Sequence, residues 1–140
     1  MKEKGYIPNH EDWLWKAKRN LKSSKILFDN ELLDDSIYFT QQCAEKSLKA
    51  FLCFHGKPIK KTHDLETLIN SVSEIDKEFK NFMQDAARLT PYATKFRYPD
   101  DIMDPETEDV VEAIEKAERI FNFVKTKIFY LSKGQKDIFS

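Results

Sequence analysis

The chain has 140 residues, 41% hydrophobic and 34% charged, a balance that fits one folded core and excludes a disordered or membrane-embedded chain. Three glycines and five prolines are too few for the many tight turns of a sandwich or barrel. The formal net charge of -1 removes the strongest electrostatic case for nonspecific nucleic-acid binding and leaves only a local basic patch open.

No run approaches the roughly 18 apolar residues of a membrane span. The opening MKEKGYIPNHEDWLW lacks the apolar run of a secretory leader. Cys43 and Cys53 fall within one expected helix, about 15 Å apart along its axis and beyond disulfide reach. Both are expected as small buried or half-buried hydrophobes, and a reducing, cytoplasmic setting is expected.

Apolar residues recur at helical spacing almost throughout, without sustained period-2 alternation. The first helix is expected from His10 or Glu11 to about Asn30, with Leu14, Ala17, Leu21, Ser24 and Phe28 as its stripe, widened by Trp13 and Leu27. The second runs from about Asp35 to His55. It carries two adjacent stripes, Ile37-Ala44-Leu48-Phe51-Leu52 and Phe39-Cys43-Ala50-Phe54, the pattern of a central helix packed on several neighbours. Gly56 stops it.

The basic connector Lys57–Lys61 leads to a short helix with Leu65, Leu68, Ile69 and Val72, for which Thr62 is the expected cap. Asp76 opens a fourth helix, which Pro91 ends. Tyr92–Met103 is expected as an ordered loop. Asp104 as cap and Pro105 at the first helical position start the last helix, whose Val110, Ala113, Ala117, Ile120, Val124 and Ile128 face the core through Leu131. The tail after Ser132 is expected to be loosely ordered. The architecture is all-α: one antiparallel up-and-down bundle of four or five helices over residues 1–140, with its core at about 11–131.

Gln42, Glu45 and Lys49 share one face of the second helix, with Tyr38 a turn before them. They form either a solvated face, with Glu45 and Lys49 as an i,i+4 pair, or a polar seam or shallow ligand cleft. In the loop, Lys95 and Arg97 lie among Tyr92, Phe96 and Tyr98, aromatics able to stack on a base. Arg97 offers a planar donor fork for phosphate or carboxylate, or it pins the loop through Asp100 or Asp101. His63 falls at a helix N-terminus, where a structural role is the commoner one. His10 and His55 read as cap or surface residues. Glu108, Glu112 and Glu115 form an ordinary exposed face. No metal site, cofactor motif or Gly-rich phosphate loop is present in the sequence.

The run Asp35–Ala50, DSIYFTQQCAEKSLKA, precedes Thr62-His63-Asp64-Leu65, and Arg97-Tyr98-Pro99-Asp100 stands before the final helix. Together they resemble the HEPN family of small helical bundles over roughly Trp13 to Ile128. That resemblance implies a homodimer, often encoded beside a minimal nucleotidyltransferase, and a nucleotide-binding role. Many other members are metal-independent ribonucleases that need an Arg, four to six intervening residues and then a His. Here Ile102, Met103 and Asp104 occupy those places after Arg97, so the general acid-base histidine is missing.

Two functions follow from the resemblance. The first is a dimeric module without catalysis, or with degenerate catalysis, that binds a nucleotidyltransferase and holds nucleotide or RNA through Gln42, Glu45, Lys49, His63, Lys95, Arg97 and Tyr98. The second is a ribonuclease toxin of a toxin–antitoxin pair, in which Arg97 steadies phosphate charge and His63 or Tyr98 moves protons.

Overall fold

A computed structural model of the chain describes residues 5–101 and 103–139, with side chains through Gly134. Among these residues are five α-helices and no strands: α1 (His10–Asp29), α2 (Leu33–Phe54), α3 (Leu65–Ser73), α4 (Met83–Leu89) and α5 (Thr107–Phe139). None of the helices is long and apolar enough to cross a membrane.

Asn9 caps α1 in a capping box: its side chain accepts the Asp12 N–H, and the Asp12 carboxylate accepts the Asn9 N–H. His10 is therefore the first helical residue rather than the cap. At the other end the Leu32 N–H reaches the Leu27 carbonyl at 2.9 Å and the Glu31 N–H reaches that of Phe28 at 3.0 Å. The same pair of bonds closes α2, from Lys57 to Leu52 and from Gly56 to Cys53. Both turns put the residue after the cap in left-handed backbone, Glu31 at φ 62° and Gly56 at φ 67°.

α2 is the central helix, as its double stripe implies. Ile37, Ala44, Leu48, Phe51 and Leu52 are at most 2% exposed, and Cys43 and Ala50 are fully buried. α1 packs antiparallel along one side and α5 along another, with α3 and α4 closing the remainder. Phe79 joins the layers, its ring 4.7 Å from Phe51 and 4.9 Å from Phe123.

Several boundaries differ from expectation. Asp64, not Thr62, caps α3: its carboxylate accepts the Glu66 N–H, while the Thr62 hydroxyl accepts the Asp64 N–H one step earlier. Asp76 does open the fourth helical segment, but as a 3-10 turn (Lys77–Phe82) that only then relaxes into α4. Pro91 lies inside a second 3-10 turn, Thr90–Ala93. α5 starts at Thr107, because the Glu106 carbonyl is the first to accept a helical bond, from the Val110 N–H; Pro105 is buried just before it.

Leu131 is 41% exposed, so the core-facing stripe of α5 ends at Ile128. The loose order expected at the ends falls partly on residues 1–4 and 140, outside the described residues. Residues 132–139 continue α5.

Candidate functional site

Helical spacing places Asp35, Tyr38, Gln42, Glu45 and Lys49 along one side of α2. The row is no solvated face: Gln42, Glu45 and Lys49 are 7%, 4% and 7% exposed. Sequence periodicity missed this burial because the covering groups come from distant segments, Trp13 of α1 and the connector before α3.

Glu45 is the hub. Its Oε2 accepts from Lys49 Nζ at 3.0 Å, and its Oε1 meets His63 Nδ1 at 2.8 Å. The Gln41 amide holds the His63 carbonyl at 3.0 Å and passes its own oxygen to the Gln42 amide at 2.8 Å. Gln41, fully buried, was not among the expected site residues. Lys49 also lies 5.9 Å from the Trp13 ring. A buried carboxylate is thus satisfied on both oxygens, as burial of a charge demands.

The contact fixes the imidazole through Nδ1 and leaves Nε2 on the side away from Glu45. The His63 side chain is 68% exposed although its partner is buried. That geometry, an oriented imidazole with one nitrogen open to solvent, suits proton transfer.

The loop is anchored differently from either sequence alternative. Arg97 pairs with neither Asp100 nor Asp101; its Nη1 reaches Asp35 at 3.5 Å, and its guanidinium stacks on Tyr38 with Cζ 3.7 Å from the ring centroid. Asp101 instead accepts the Tyr98 N–H at 3.1 Å, closing the loop on itself. Phe96 takes φ 68°, a left-handed conformation that a bulky side chain adopts only when its surroundings compel it. Its ring stacks on Tyr92 at 6.3 Å, with Lys95 Nζ 5.0 Å above it. Tyr92 and Phe96 are therefore committed to the bundle, and Tyr98, 65% exposed, is the free aromatic of the loop.

Tyr38 and Glu45 lie seven residues apart, about 10 Å along α2. The structure gathers Gln42, Glu45, Lys49 and His63 into one cluster. Arg97 joins the same helix face two turns away, and Lys95 and Tyr98 stay on the loop. Among the described residues no group of acidic, His or Cys side chains could hold a metal ion. Burial pushes the Cys43 thiol up to about 12, so it is no nucleophile.

Comparison with known proteins bears on the family and the fold. The crystal structure of ST0689, described as an archaeal HEPN homologue, is 29% identical, covers 87% of this chain and 99% of its own, and superposes with a TM-score of 0.69. That of TT1696 from Thermus thermophilus has a TM-score of 0.76 over 86% of this chain and 99% of its own, and at 24% identity it speaks for the fold alone. A Methanocaldococcus jannaschii protein named "Putative toxin MJ1304" is 26% identical over 125 residues, covering 79% of this chain and 82% of that one. The HEPN domain family pattern matches residues 10–127, from the first residue of α1 to the last buried turns of α5. The chain belongs to the HEPN family.

Proposed function

We propose that the protein is a dimeric HEPN module that binds the phosphate of a nucleotide or RNA at the Arg97 loop and works beside a minimal nucleotidyltransferase. The carrying observation is the arginine itself. Tyr38 and Asp35 fix the guanidinium plane, yet 34% of the side chain stays exposed. A planar fork held in advance loses little further freedom when it meets phosphate. Tyr98 and Lys95 on the same loop add a stacking face and a second cation.

The test is titration of wild type, Arg97→Ala and Arg97→Lys with nucleotides and short RNAs. Loss of one charge-assisted contact costs about 1.5–3 kcal/mol, roughly tenfold to a hundredfold in affinity, and Lys restores it poorly. Wild type that binds nothing in the panel refutes the reading.

A second reading, the ribonuclease, is favoured by one observation: the 2.8 Å contact from Glu45 to the exposed His63. In that reading His63 Nε2 takes the proton of a ribose 2′-hydroxyl as its oxygen attacks the adjacent phosphorus. The 5′-oxygen leaves and takes a proton from water. Arg97, about 10 Å along the helix, grips a neighbouring phosphate rather than the reacting one. Cleavage of a labelled RNA that disappears in His63→Ala and falls in Glu45→Gln supports it; cleavage indifferent to His63→Ala refutes it.

A further inference from the structure

The near-zero net charge hides a strongly uneven distribution. Between Lys16 and Lys25 the sequence carries five Lys or Arg and no Asp or Glu, whereas acidic residues crowd the first half of α5. Lys25 is tied to Glu118 at 2.6 Å. Lys16, Lys18, Arg19 and Lys22 pair with no carboxylate among the described residues, and all four are exposed.

Helical spacing aligns Trp15, Arg19, Lys22 and Ile26 along the solvent ridge of α1, where Trp15 is 57% and Ile26 51% exposed. Arg19 Cζ and Lys16 Nζ lie 5.4 Å and 5.6 Å from the Trp15 ring. Both flexible cations thus lie over an indole that stays more than half exposed, and a stacking base would take the place of one of them.

Beside Trp15 opens a groove of about 360 Å³, lined by Tyr6, Pro8, Trp13, Trp15, Lys16 and Lys46 together with Asp12. It lies within the roughly 300–1,000 Å³ typical of small-ligand sites. Its carboxylate is already engaged, by the Tyr6 hydroxyl at 2.6 Å and the Asn9 N–H at 3.0 Å. Lys46 donates to Asn20 at 2.6 Å, a neutral partner. Partial burial lowers its basicity, the Glu45 carboxylate opposes that, and the nearby Lys16 charge adds to the lowering. The Trp13 indole N–H is buried without an acceptor. The groove's apolar walls, flanked by Lys16 and Lys46, suit a flat aromatic group.

We propose that this face of α1 is a docking surface for single-stranded nucleic acid, with a base on Trp15 at the groove and the following phosphates on Arg19, Lys18 and Lys22. Stacking on an exposed aromatic with cations tracking the backbone is the general chemistry of sequence-tolerant strand binding. An acidic protein would use the cations but leave the indole face without a role. The surface is separate from the Arg97 loop and holds whether or not that loop binds a ligand.

The experiment is fluorescence anisotropy of a labelled ten-nucleotide oligouridylate over a range of salt, with intrinsic tryptophan quenching followed in parallel. The triple variant Lys18→Glu/Arg19→Glu/Lys22→Glu should lose at least tenfold in affinity and about 2 in the slope of log affinity against log salt. Trp15→Ala should lose about tenfold and most of the quenching. All the altered side chains are exposed, and circular dichroism is to check that each variant is folded. Either α1 variant binding as tightly as wild type overturns the proposal. Equal affinity for polyglutamate, unaffected by Trp15→Ala, overturns it in favour of an acidic protein.

Discussion

Glu45 and Lys49 illustrate how a short polar spacing can mean opposite things. The i,i+4 pair is visible in the sequence, but its worth depends on burial that α1 and the His63 connector impose. Removing the carboxylate in Glu45→Leu strands a buried ammonium, which should destabilise the fold by about 3–5 kcal/mol in urea denaturation. The double variant Glu45→Leu/Lys49→Met should recover much of that loss, since no charge is then left unpaired. His55 makes the converse case. It caps the C-terminus of α2, but it is no surface histidine: its Nε2 is buried without a partner, its ring packs 4.6 Å from Phe51, and burial lowers its pKa below 6.5. Lys57 pushes the same way and Asp76 opposes. The unfolded chain therefore binds the proton more readily, so stability is full above about pH 6.5 and declines as pH falls through the folded value. His55→Phe should flatten the decline between pH 7 and 5; an unchanged pH profile of the denaturation midpoint would show that another group carries it.

At the scale of elements, the helices were legible wherever a long apolar period met a clear cap, and illegible where short segments compete. α1 and α2 lie within two residues of their expected bounds. The fourth segment went astray because neither a 3-10 turn nor an α-turn dominates over so few residues, and tertiary contacts such as Phe82 against Phe123 at 5.0 Å decide between them. The start of α5 shows the same weakness: Asp104-Pro105 has the right chemistry for a helix start, but the burial of Pro105 holds it outside the helix. The two matched turns allow a direct prediction. Gly56 has the residue type its left-handed position favours, and Glu31 does not. Glu31→Gly should therefore raise stability by about 0.5–1 kcal/mol, read as a higher urea midpoint at constant slope.

For the whole molecule, the fold class could be read from sequence and the Gln42-Glu45-Lys49 row could be picked out, but its burial and the assembly of the cluster could not. Arg97 was separable from its neighbours by chemistry, whereas its partner Asp35 lies far upstream and carries no mark that distinguishes it from Asp100 or Asp101. The exposed apolar side chains bear on assembly. Phe129 and Tyr130, 61% and 64% exposed on α5, adjoin Leu131 where the helix leaves its core contacts. Clustered exposure of this kind marks an interface more often than a monomer surface. Sedimentation at micromolar concentration should give a dimer, and Phe129→Glu/Tyr130→Glu should shift it to monomer without loss of helicity. A wild-type monomer would refute the dimeric assignment.

The position of α5 also has a consequence in time. α1 and α2 are joined by a three-residue turn and can pair as soon as both are made, whereas the other flank of α2 waits for the last helix of the chain. During synthesis the hairpin would therefore stand with part of its apolar surface bare until the C-terminal helix arrives. A chain stopped before Thr107 should keep much of the helical signal of α1 and α2 yet bind hydrophobic dye and aggregate.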